Sequence, residues 1–105
     1  MLKRAREAGI KVIIHEGPEQ INKDWDFELV SVEYYGTEHI KPFAELVGKN
    51  GKYAEFVGAL TIPLTNAWAD VAIADQKTHY TEMELDAERC GASESIDDTM
   101  GIANE

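Results

Sequence analysis

Two short polar stretches carry the residues best suited to chemistry: His15-Glu16-Gly17-Pro18, and Gly58 to Asn66 with Thr61, Thr65 and Asn66. A carboxylate can accept hydrogen bonds from two hydroxyls at once, whereas threonine hydroxyls and an asparagine amide both donate and accept. His15, Glu16, Thr61, Thr65 and Asn66 therefore make a candidate set for holding a small polyhydroxylated molecule, and they suit binding better than bond making. Plainer readings stand beside this one. Glu16 reads equally as a solvated turn residue, and Asn66 as a helix N-cap.

Other chemistries lack their apparatus. His15, His39 and His79 are widely spaced and belong to no H-E-x-x-H or C-x-x-C arrangement, so no metal site is expected. Cys90 is the single cysteine, which excludes an intrachain disulfide and a thiolate cluster, and it has no recognisable partner base. No serine sits in G-x-S-x-G. Gly48, Gly51 and Gly58 do not form G-x-G-x-x-G, and Gly51-Lys52 lacks the rest of a phosphate-binding loop. No catalytic residue and no cofactor is expected, and the protein reads as a non-enzyme. Trp25 and Trp68 could stack on a sugar ring or an aromatic ligand, although a lone tryptophan at helical spacing is more often core.

The elements that must position these residues follow from periodicity. Leu2, Ala5 and Ala8 share one side of a short helix that Gly9 stops. Ile10 to Ile14 is a β-branched run that predicts a buried strand ending at His15. Gln20 to Asp26 reads as a loop, followed by a short strand. Ile40, Phe43, Ala44 and Val47 fall at i, i+3, i+4 and i+7, the stripe of a helix lying on a sheet. Pro42 inside that stripe implies that the helix begins near Lys41 or kinks there, and Gly48 ends it. Tyr53 to Val57 predicts a second buried strand. Asn66 then caps a helix reaching Tyr80. Met83, Leu85 and Ala87 alternate with acidic neighbours, as in a strand with one wet face. A last helix starts near Ser93 or Ser95 with Ile96, Met100 and Ala103 inward. This order predicts an α/β fold, a parallel sheet flanked by helices. In such sheets ligands bind beyond the carboxyl ends of the strands, which is where both polar stretches fall.

Composition narrows the partners. A chain of 105 residues with 44% apolar and 29% charged side chains is an ordinary soluble domain. Ten basic against twenty acidic residues leave a charge of −10, which disfavours nucleic acid and anionic membrane surfaces. From residue 84 onward Arg89 is the one basic residue among seven acidic ones. Met1-Leu2-Lys3-Arg4 resembles the start of an export signal, but the apolar run at Ile10 to Ile14 is too short for a signal peptide or a membrane span.

Three segments, KRAREAGIKVIIHEG (Lys3 to Gly17), YAEFVGALTIPLTNAWAD (Tyr53 to Asp70) and ESIDDTMGIA (Glu94 to Ala103), resemble the sugar-type substrate-binding proteins of bacterial ABC importers. Within these the resemblance is to the branch of the autoinducer-2 and rhamnose binding proteins. It runs along nearly the whole chain, which looks like a middle slice of such a protein with a partial periplasmic-binding-protein type I fold. The resemblance implies that residues 1–22 end a first lobe, 23–33 form a hinge crossing, and 34–105 begin a second lobe. Glu16 stands where the family usually has an aspartate that takes sugar hydroxyls, and Asn66 where sugar binders commonly reach the ligand. The autoinducer-2 receptor carries Asp-Gln before that asparagine. Here Leu64 and Thr65 stand there, which points instead to a pentose, a deoxyhexose or a related polyol. The implied setting is periplasmic, with an ABC permease as partner of the full-length parent. The effector-sensing part of a sugar-responsive transcription regulator shares the bilobal architecture and is the alternative. One wall of a cleft should bind sugar weakly or not at all, and uncovered helix faces and a sheet edge favour self-association.

Overall fold

The computed structural model describes residues 1–17, 19–92 and 100–101. The chain divides into two compact units, Met1–Ser31 and Val32–Glu105.

The first unit contains α1 (Leu2–Glu7), β1 (Ile13–His15) and β2 (Trp25–Phe27). Helix α1 ends where the sequence predicts. Gly9 takes φ +77°, a left-handed conformation that brings the Ile10 N–H within 3.0 Å of the Ala5 carbonyl and closes the last turn. β1 and β2 pair in parallel, with Ile13 opposite Trp25 and His15 opposite Phe27. The predicted buried strand is shorter and wetter than expected. Val12 is buried, but Ile13 is 70% exposed, as is Trp25 across from it. A parallel sheet is dry on both faces only when helices cover both, and α1 has six residues and buries none of its own side chains.

Polar contacts hold this unit. Asp24 accepts a hydrogen bond from the Val12 N–H through Oδ2 at 2.9 Å, while its own N–H donates to the Val12 carbonyl at 2.8 Å. Arg6 Nη2 lies 3.4 Å and Lys11 Nζ 3.9 Å from Asp24 Oδ1. The Val12 N–H, helped by Arg6 and Lys11, outweighs the opposing effect of burial and holds the Asp24 carboxyl below its usual range.

The second unit contains α2 (Val32–Leu46), β3 (Gly51–Tyr53), β4 (Phe56–Val57), α3 (Pro63–His79), β5 (Met83–Leu85) and β6 (Cys90–Gly91). β3 pairs with β5 and β4 with β6, both in parallel. The predicted strand at Tyr53 to Val57 is thus interrupted, and so is its partner. Tyr53 faces Leu85 but Phe56 faces Cys90, so four residues bridge one side of the gap against two on the other. Backbone bonds from Asp86 to Tyr53 and from Cys90 to Glu55 close the ladder on either side.

Helix α2 starts well before Lys41 and passes through Pro42. Its buried stripe is Gly36, Ile40 and Ala44. Gly36 is a packing position: a Cβ there would lie 2.6 Å from the Val71 side chain and 2.8 Å from the Trp68 carbonyl of α3. Apolar periodicity cannot register a glycine, so the stripe seemed to begin at Ile40. Pro42 and Glu38 are both exposed, which lets water take the carbonyl that the proline leaves without a donor. The helix ends as predicted, with Gly48 at φ +73° and the Lys49 N–H on the Ala44 carbonyl at 2.7 Å.

Ile40, Ala44, Ala72 and Met83 form the core, with Phe43, Tyr53 and Tyr80 packed against it. Gln76 is buried among them at 3% exposure. Its amide donates to the carbonyls of Tyr80 (2.9 Å) and Met83 (2.7 Å), and its oxygen accepts from the Tyr53 hydroxyl at 3.2 Å. One fully satisfied side chain therefore ties the end of α3 to β5 and β3. The last predicted helix falls largely outside the described residues; Met100, expected to face inward, is helical but exposed. Among the described residues no helix is long and apolar enough to cross a membrane.

Candidate functional site

The end of β1 is conformationally unusual. Glu16 adopts φ +56°, a region that non-glycine residues seldom enter, and its N–H reaches the Phe27 carbonyl at 3.4 Å. Gly17 follows so closely over Ile14 that a Cβ on it would lie 2.6 Å from Ile14 Cγ2. The tight turn leaves the Glu16 carboxylate half exposed, with Oε1 3.8 Å from His15 Nε2. The His15 ring stacks on Phe27 at a centroid distance of 5.6 Å. His15 and Glu16 thus present a donor or acceptor ring and a carboxylate side by side at a strand's carboxyl end.

Thr61, Thr65 and Asn66 lie in the second unit, on the loop from β4 into α3 and in the helix's first turns. The predicted N-cap role of Asn66 does not hold. Helix α3 begins earlier, capped at Ile62 with Pro63 in its first turn, where a missing N–H costs nothing. The Asn66 side chain instead folds back over the loop. Nδ2 lies 2.7 Å from the Ile62 carbonyl, 3.1 Å from that of Leu60 and 3.4 Å from that of Ala59. Its Oδ1 accepts from Arg89 Nη1 at 3.0 Å. Thr65 Oγ1 donates to the Ile62 carbonyl at 3.2 Å, and Thr61 is exposed.

Arg89 is the residue that sequence reasoning missed. Besides Asn66 it donates from Nε to Glu55 Oε2 at 2.9 Å and from Nη2 to Asp70 Oδ1 at 2.6 Å. Burial by itself would lower the guanidinium pKa, but the hydrogen bonds and charges of Asp70 and Glu55 outweigh it and raise it. A lone arginine in an acidic stretch is the available signal, but its partners lie 34, 23 and 19 residues away.

Beside this loop, α2, α3 and β4 enclose a groove of about 420 Å³ lined by Tyr35, His39, Phe43, Phe56, Thr65 and Trp68. The Tyr35 and Trp68 rings lie 4.2 Å apart, and the buried Trp68 Nε1 has no hydrogen-bond partner among the described residues. Trp25, by contrast, is an exposed strand residue. Among the described residues no three His, Cys, Asp or Glu side chains gather into a cation site. Within the second unit the groove offers the Thr65 hydroxyl beside an aromatic wall of Tyr35, Phe43 and Trp68, while His15 and Glu16 stand in the first unit.

Residues 1–102 match the family described as periplasmic binding protein domain. Among solved structures the chain is similar to a sugar ABC transporter protein from Actinomyces odontolyticus, at 19% identity and a TM-score of 0.67. That similarity covers 98% of this chain and 34% of the other, so this chain spans about a third of its length. No curated protein sequence matches. The shared fold is the α/β periplasmic-binding-protein type I arrangement with parallel strands.

Proposed function

This chain belongs to the periplasmic binding protein domain family, and on that premise we propose that it is part of the sugar-receiving component of an ABC importer. The family's role is substrate binding without catalysis, in the periplasm, on behalf of a membrane permease. The ligand is a pentose, a deoxyhexose or a related polyol, because Leu64 and Thr65 stand before Asn66 where the autoinducer-2 receptor of the resembled branch carries Asp-Gln. Residues 1–22 end one lobe, 23–33 cross the hinge and 34–105 begin the other.

Glu16 carries the reading. A non-glycine residue held at φ +56° at the carboxyl end of a parallel strand is strain retained at a place where such folds put ligands. Its half-exposed carboxylate, with His15 beside it, suits pairs of sugar hydroxyls. In the second unit Thr61 and Thr65 offer hydroxyls of their own, and Asn66 shapes the loop that leads into them. Affinity in this family's geometry comes from enclosing the ligand, so this chain alone binds at best on the order of millimolar.

The test is a titration of the ¹⁵N-labelled chain with D-ribose, L-rhamnose and xylitol, followed by amide shifts. Shifts confined to residues 15–17 and 59–66 with at least one of them, lost in Glu16→Ala at the first segment, are expected. Micromolar affinity for any of the three, or shifts at residues 15–17 that survive Glu16→Ala, overturns the reading.

A further inference from the structure

The loop from Gly58 to Ile62, which leads into α3, has no regular backbone ladder of its own, yet three of its carbonyls converge on one side chain. Asn66 Nδ2 has two hydrogens for the carbonyls of Ala59, Leu60 and Ile62, so its donors are spent inside the loop. Its orientation depends on what holds Oδ1, and that is the Arg89 guanidinium. Arg89 in turn is fixed from three sides. Glu55, just before β4, takes Nε; Asp70, one turn along α3, takes Nη2; and the Asn66 backbone carbonyl lies 3.4 Å from Nη1. The Glu55 side chain is 14% exposed and that of Arg89 17%, so this pair is largely desolvated.

We propose that Arg89 is a positioning residue for the loop: it orients Asn66, and through Asn66 it sets the backbone that presents Thr61 and Thr65. The proposal rests on the sugar-binding reading only for the purpose the loop serves. Arg89 reaches the loop from the start of β6, beyond the gap in the β5–β6 strand, so the irregular segment from Asp86 to Arg89 delivers the guanidinium to α3. A planar fork suits this, because Nε, Nη1 and Nη2 reach Glu55, Asn66 and Asp70 from three separate positions, whereas an ammonium donates from a single nitrogen.

The side-chain amides of Asn66 and Gln76 supply a matched pair of reporters. Both are held by backbone carbonyls, but the Gln76 side chain bonds to Tyr80, Met83 and Tyr53, whereas that of Asn66 bonds to Arg89. In Arg89→Lys, which keeps a cation beside Glu55, the Asn66 side-chain NH₂ resonances should move and exchange roughly tenfold faster. The Ile62 amide should follow, whereas the Gln76 pair stays in place. Asn66→Asp, which keeps an acceptor for Arg89 but loses the donors, should loosen the same loop amides. Unchanged Asn66 resonances in Arg89→Lys overturn the proposal, as does equal acceleration at Asn66 and Gln76, which marks general destabilisation. If Arg89→Lys does not fold, the Asn66→Asp exchange pattern decides by the same criterion. A second arm repeats the D-ribose and L-rhamnose titrations on Arg89→Lys, where the shifts at Thr61 and Thr65 should fall at least about threefold. Where the wild-type chain answers neither sugar, the amide reporters alone decide the role of Arg89, and micromolar affinity refutes the function proposed above without touching that role.

Discussion

The two units reach order by opposite means. Val32–Glu105 closes α2 and α3 over Ile40, Ala44, Ala72 and Met83, and its buried polar groups, Gln76 foremost, are satisfied from several elements. Met1–Ser31 buries Val12 and leaves Ile13, Trp25 and Phe27 in water; Asp24 clasps its backbone. Burial is indifferent to pH, whereas a carboxylate clasp is not. The second unit should therefore behave as a cooperative folding unit, and the first as a fold whose order follows the ionisation of a few acids.

Predictions can widen or collapse that contrast. Met83→Ala should cost unit 2 about 3 kcal/mol, read from urea unfolding, and leave the Val12 amide's exchange unchanged. Coupled loss in both units would erase the distinction. Gly36→Ala should cost about 2 kcal/mol by forcing α2 away from Val71 and Trp68, with a change in Trp68 fluorescence as the check. Asp24→Asn should accelerate exchange at Val12 and spare the Gln76 side-chain amide. A uniform response would deny the clasp.

The smallest effect is in pH. Asp24 has a depressed folded pKa, so its contribution is present above the unfolded carboxylate range, near pH 4, and is lost as pH falls through the folded value. Glu28 runs the other way: burial first, then the charge of Asp26, raise its pKa, and its ionisation opposes folding. Acidification through the Glu28 pKa should therefore slightly steady unit 1 before protonation of Asp24 releases it. Glu28→Gln should remove the first step and Asp24→Asn the second, as followed by Val12 exchange against pH.

Much of the fold was legible in the chain because its signals are local. Gly9 and Gly48 stop helices where their positive φ is needed, and the Ile40 to Ala44 stripe faces the core. What was not legible depends on partners distant in sequence. Gly36 marks a helix crossing only once Val71 is opposite it, Gln76 belongs in the core only because three groups meet it there, and Arg89 finds acids that local patterning cannot pair with it. At the site, Glu16 and Gly17 stood out as a turn. Asn66 reads as a cap, which would use Oδ1 to accept a backbone N–H, but it clasps the loop by donating from Nδ2 to carbonyls, a choice that local spacing does not reveal.

The gap between β5 and β6 has a consequence for how this side of the sheet is built. Its surplus over β3–β4 is two residues, an even number, and side chains alternate with a period of two. Tyr53 with Leu85 and Val57 with Gly91 therefore keep the same parity across the interruption. The segment from Asp86 to Arg89 is thus where this side of the ladder takes up its extra length, and the added residues end at the side chain that reaches α3.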